Sequence, residues 1–99
     1  MNADLQSLPP DVQKYSETPI FTETTVPPKL TADHNTKAGV WGKLCVLSGE
    51  LEYIVSEPKQ SVSVIKQGQY GIILPEQRHF VKMTQKVTFK VEFYKVPNQ

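Results

Sequence analysis

The sequence is poor in the residues that mark several large protein classes. One cysteine, Cys45, excludes an internal disulfide and a multi-cysteine zinc module, and it suits a reducing compartment, so a cytoplasmic location is expected. Eleven basic against ten acidic side chains leave a formal charge of +1. That balance lacks the basic excess on which nucleic-acid and membrane-surface binders depend. No apolar run approaches the roughly 18 residues of a transmembrane span. The segment Met1 to Pro10 carries Asp4 and two prolines and has neither a basic start nor an apolar stretch, so it does not read as a secretory signal. Ninety-nine residues suffice for one domain, which should bury roughly 65% of the surface exposed by the unfolded chain.

What is present is strand-like. Residues 1–14 read as a polar N-terminal arm, with Asp11 to Tyr15 able to form one helical turn, and 15–99 as a single domain. Pro19 to Thr25 is rich in strand formers and stops at Pro27-Pro28; Leu30 to Lys37 is a polar loop. Gly39 to Leu47 is the most apolar stretch, with apolar residues on both parities, which predicts a strand covered on both faces. Ser48-Gly49-Glu50 reads as a hairpin turn, followed by alternation at Leu51, Tyr53 and Val55. Pro58-Lys59-Gln60 and Lys66 to Gln69 are further turns that flank Val62 and Val64. Gly71 to Leu74 is a short buried run ended by Pro75. Val87, Phe89, Val91 and Phe93 give the cleanest period-two pattern. About eight short strands with no sustained helix predict an all-β antiparallel sandwich or barrel.

Few residues offer chemistry. The only histidines are His34, in the polar loop, and His79, on the same strand parity as Val81 and Met83 and so expected to face the interior. Two imidazoles converging inside a barrel could hold a divalent metal if a carboxylate or water completed the shell, although two unrelated histidines more often make ordinary hydrogen bonds. Glu92 is the candidate carboxylate. Its parity opposes Val87, Phe89 and Val91, so its plain reading is a solvated outward residue, inward only if that strand's face packs against another layer. Trp41 is a candidate pocket cap or a core residue. Arg78 is a candidate anion contact or an exposed loop charge. Cys45, inside a strand, reads as an inert small hydrophobe. No nucleophile sits in a recognisable elbow, and the scattered glycines cradle no phosphate.

Taken together, five segments carry a resemblance. They are Thr18-Pro-Ile-Phe21, the run from His34-Asn-Thr36 through Trp41-Gly42-Lys-Leu44, Val46-Leu-Ser-Gly49-Glu-Leu-Glu-Tyr53, Pro75-Glu-Gln-Arg-His79, and Phe89-Lys-Val-Glu92-Phe93. Across residues 15–95 they resemble the small cupin-like domain called tellurite-resistance-protein-B-like, a bacterial family. The resemblance implies a double-stranded β-helix, the jelly-roll barrel of the cupin superfamily. In some relatives this domain precedes a methyltransferase that uses S-adenosylmethionine; the 99 residues hold no such domain, so methyl transfer is not expected of them. The wider superfamily implies a metal at the barrel mouth, and His79 matches the ligand of its second motif. The first motif departs: His34-Asn-Thr36 has one histidine where two are usual, and Gly42 stands about where a Glu would.

Three functions follow as expectations. One is a non-catalytic binding module that holds a divalent metal (Zn, Ni, Fe or Cu), a small molecule or an oxyanion in its mouth. A second is a cupin-type metalloenzyme, a dioxygenase or isomerase with a partly water-completed site. A third is a structural homodimer whose barrel faces form the interface. Neither nucleic acid nor membrane is an expected partner.

Overall fold

A computed structural model describes residues 7–57 and 59–97. Residues 1–6, part of the segment read as lacking a secretory signal, and Pro58 of the second turn lie outside the described residues. Seven strands and one helical turn follow in order: β1 (Gln13–Glu17), β2 (Phe21–Thr22), α1 (Pro28–Thr31), β3 (Trp41–Val55), β4 (Ser61–Lys66), β5 (Tyr70–Ile73), β6 (His79–Lys82) and β7 (Val87–Lys95). Every pairing is antiparallel.

The architecture is a two-layer jelly roll, and β3 belongs to both layers. Its first half lies between β7 and β5 in one sheet, and β1 and β2 also pair with β7. Its second half lies between β4 and β6 in the other. The expected hairpin at Ser48-Gly49-Glu50 is therefore corrected: the chain passes straight through as one 15-residue strand. At that point the pairing with β7 slips, Val46 facing Phe89 and Ser48 facing Thr88, which leaves Leu47 as an extra residue. A bulge of this kind reverses parity and bends the strand. It explains why even-numbered Leu44 and Val46 are buried before it and odd-numbered Leu51 and Tyr53 after it. The mixed parity of Gly39 to Leu47 thus does not mean cover on both faces; Leu47 is 42% exposed. Gly49 has φ +74°, and a Cβ there would collide with the Lys86 carbonyl, so glycine is required where the strand turns between layers.

The inward faces of both sheets meet in one core containing Leu44, Val46, Phe89 and Val91 from the first and Leu51, Tyr53, Ile65 and Val81 from the second. Phe89 is fully buried at 0% exposure, a burial worth roughly 2–3 kcal/mol. Two predicted strands, in Gly39 to Leu47 and Leu51 to Val55, form one, and Gln13–Glu17 adds a strand, so seven form where about eight were expected. The single turn predicted for Asp11 to Tyr15 is also corrected: Gln13–Glu17 pairs with β7, so the stretch read as an arm enters the sheet from Gln13. The one helical turn lies instead at Pro28–Thr31, with proline at its start, where an amide N–H has no helical partner to lose. Among the described residues no helix is long and apolar enough to cross a membrane.

Candidate functional site

Two loops meet at one end of the sandwich. His34 follows α1, and His79 opens β6 after the turn Leu74–Gln77. In that turn the Gln77 N–H reaches the Leu74 carbonyl at 3.4 Å. Proline is suited to the second position of such a turn, whereas the third, Glu76, has φ +61°, a conformation that glycine or asparagine adopts more readily. The Glu76 N–H donates to the Thr36 carbonyl at 2.8 Å, tying this turn to the His34 loop.

The two histidines then pair through their backbones. The His34 N–H donates to the His79 carbonyl at 3.0 Å, and the His79 N–H donates to the His34 carbonyl at 2.8 Å. A reciprocal pair of this kind places the side chains on one face, and the ring centroids lie 4.2 Å apart. Each ring is held by the same local device. His34 Nδ1 lies 2.9 Å from the Ala32 carbonyl and His79 Nδ1 lies 2.8 Å from the Gln77 carbonyl, two residues back in each case. A carbonyl only accepts, so each Nδ1 carries a proton, and in the neutral tautomer of such a ring Nε2 is the bare lone pair. His79 is 3% exposed, and burial holds its pKa below the ordinary histidine value, favouring that neutral form.

Both rings line a cavity of about 300 Å³ at the mouth between the sheets. Leu30, Val40, Ile73, Val91 and Phe93 supply its apolar wall; Thr18, Asn35, Lys29 and Lys37 supply polar groups. Among the described residues no carboxylate lines it. Asp33, adjacent in sequence, is turned elsewhere: it accepts from the Ser56 hydroxyl at 2.7 Å and from Arg78 Nε at 3.1 Å, and these bonds, Ser56 first, hold its pKa below the carboxylate norm.

The structure therefore brings together two of the five predicted site residues. Glu92 is on the opposite face of β7. There it accepts the Tyr94 hydroxyl at 2.8 Å and pairs with Lys90 at 3.2 Å and Lys14 at 3.7 Å. Burial works against its charge, yet the bonds from Tyr94 and Lys90 keep its pKa low, while burial and then Glu92 push Tyr94 up to about 12. The placement of Glu92 with the histidines is corrected by strand parity: Phe89 and Val91 occupy the inward face, and Glu92 points outward, where Lys14 of the adjacent strand β1 reaches it. Trp41, at the start of β3 opposite Tyr94, shares its parity with Lys43 and Cys45 and lies on that outward face, so it does not cap the cavity. Arg78 is engaged by Asp33 and borders a separate, open surface depression with Glu57, Glu76 and Gln77, where two carboxylates disfavour an anion. Cys45 is half-buried, and burial pushes its thiol pKa up, in keeping with an inert role.

Two imidazoles do not make a closed metal shell. Among the described residues no three His, Cys, Asp or Glu side chains come together as a ligand group. At Gly42, where a glutamate was sought, a Cβ would already stand 3.0 Å from Ile73, so the position is filled by the opposite strand. Lys29, Lys37, Ile73 and Phe93 were not singled out from the sequence. The inward parity of Phe93 was a usable signal; Lys29 sits on a one-turn helix that no periodicity marks.

This geometry, two sheets enclosing an apolar mouth with a histidine pair at its rim, defines an all-β jelly-roll domain. The TehB-like domain model matches residues 16–91, and the chain belongs to that family. It is 30% identical over 90 residues to the Escherichia coli K12 protein "Uncharacterized protein YeaR", covering 81% of this chain and 75% of that one. A 39-residue segment is 44% identical to the Haemophilus influenzae protein "Probable S-adenosyl-L-methionine-dependent methyltransferase TehB", a match to 39% of this chain and only 14% of the relative. The crystal structure of Haemophilus influenzae TehB superposes with a TM-score of 0.78 at 25% identity, over 88% of this chain and 32% of TehB. A crystal structure of an Escherichia coli K12 protein superposes with a TM-score of 0.85 at 25% identity, over 95% of this chain and all of that one.

Proposed function

We propose that this chain is a non-catalytic binding domain that takes a small anion, such as a carboxylate or an oxyanion, in the mouth cavity. The observation that carries this reading is the charge of the cavity lining: Lys29 and Lys37 line it, and among the described residues no carboxylate does. The two imidazoles, held by backbone bonds with both Nδ1 atoms engaged, offer Nε2 as fixed acceptors for the O–H of a hydrogen-bearing oxyanion. Thr18 and Asn35 add polar contacts beside an apolar wall. A binding pocket of this type relies on few polar groups held in place before the ligand arrives.

The same Nε2 lone pairs favour a second reading, a divalent transition metal such as Zn, Ni, Fe or Cu. His34 and His79 would then be its protein ligands, and water or the anion would fill the other positions. A cupin-type dioxygenase or isomerase gains no support from this wall, which among the described residues offers no carboxylate as ligand or base.

Thermal unfolding of untagged protein with Zn²⁺, Ni²⁺, acetate, phosphate, selenite or tellurite tests both readings. Elemental analysis of the purified protein accompanies it. A binding probe should raise the midpoint in proportion to the logarithm of its concentration, and His34→Ala and His79→Gln should remove the effect while circular dichroism stays unchanged. A midpoint indifferent to every probe and to chelator, or an unaltered response in both variants, would falsify the site.

A further inference from the structure

Among the described residues the second sheet has an open edge. β4 pairs with β3 on one side, and no strand pairs with its other side. An edge strand presents unpaired N–H and C=O groups, and proteins that stay monomeric blunt such edges with charge, proline or bulges. Ser61-Val-Ser-Val-Ile65 has no charge and no proline, and its register with β3 runs from Val55–Ser61 to Glu50–Lys66 without a shift. The outward side chains are apolar as well. Val62 and Val64 are 51% and 45% exposed, beside Ile54, which pairs with Val62 on one side and Phe80 on the other.

We propose that β4 pairs antiparallel with β4 of a second copy of this chain, about a two-fold axis through Ser63. Antiparallel neighbours must keep inward residues opposite inward ones, so a two-fold pairing places one residue opposite itself. With Ser63 at the centre, Val62 of each copy faces Val64 of the other. The outward rows then run Phe80, Ile54 and Val62 in one copy into Val64, Glu52 and Lys82 in the next. Lys66 falls opposite Gln60, and Glu52 retains Lys82 as its neighbour, so no like charges oppose each other. With Val64 at the centre, Val62 would instead face Lys66, and with Val62 at the centre, Val64 would face Gln60. The pattern is self-complementary in one register, which makes a second copy the natural occupant. Paired valines on adjacent strands stabilise a ladder.

Sedimentation velocity across roughly two decades of concentration around the micromolar range tests the pairing. The wild-type chain should shift from monomer to dimer. Val62→Lys and Val64→Lys, at exposed positions, should weaken association at least about tenfold with unchanged melting midpoints. In a Cys45→Ser background, Ser63→Cys should form a disulfide-linked dimer under mild oxidation, because only the axial residue meets itself within disulfide reach. A monomer at every concentration, a dimer of unchanged affinity in both lysine variants, or no cross-link through position 63 overturns the proposal. None of these readouts depends on the mouth cavity, so the ligand reading stands or falls separately.

Discussion

The Tyr53 ring stands edge-on to the His79 ring, centroids 5.8 Å apart and planes at 65°, and its hydroxyl has no hydrogen-bond partner among the described residues. The residue is 6% exposed, and burial raises its pKa above the usual tyrosine value. It reaches across the core: a Cβ at Gly71 on the facing sheet would lie 3.5 Å from its ring.

An unpaired buried hydroxyl costs roughly 1–3 kcal/mol, and phenylalanine has the same shape without it. Tyr53→Phe should therefore stabilise the unliganded protein by about 1 kcal/mol, read from urea unfolding. A loss of stability would show that the hydroxyl has a partner, such as an internal water, behind the cavity wall.

His79 gives the domain a pH dependence with a defined sign. Its folded pKa lies below the ordinary value of 6.5 because burial disfavours the imidazolium. As pH falls through that value the unfolded chain takes up a proton that the folded chain resists, so stability declines. Asp33, Glu17 and Glu92, all held below the ordinary carboxylate range, contribute stability that is lost only at lower pH. The melting midpoint should be level above pH 7, fall between pH 7 and 5, and fall less in His79→Gln.

Glu76 adopts a left-handed backbone in the turn that delivers His79. A non-glycine residue there carries strain of order 1 kcal/mol or more, part of which is offset by the greater chain entropy that glycine brings to the unfolded state. Glu76→Gly should raise stability by roughly 0.5–1 kcal/mol in the same urea assay. An unchanged or lower value would mean that the Glu76 side chain has a stabilising role of its own.

The strands were legible because alternation is a local signal. Val87 through Phe93 and the inward parity of His79 are read directly from the chain, and the structure places them accordingly. The junction at Leu47 to Gly49 was not. Glycine after serine looks like a hairpin turn, and only the pairing partner, β7, shows that it is a bulge inside a continuous strand. The histidine pair was half legible: parity turns His79 inward, but the backbone bridge that brings His34 beside it joins residues 45 positions apart. Glu92 illustrates the converse. A carboxylate in an apolar strand attracts attention as a ligand, yet Lys90 and Tyr94, two residues to either side on the same outward face of β7, already offer it partners, and only Lys14 comes from strand order that no local pattern encodes.

Because β3 is shared, the two layers cannot swing apart like the covers of a book; the spine is a single unbroken backbone running through both. The rim is a different construction: its segments around His34 and Glu76 are short loops tied to each other by three backbone bonds, Glu76 to Thr36 and the reciprocal pair between His34 and His79. The shape of the mouth is thus fixed from behind by one strand and from the front by these few bonds.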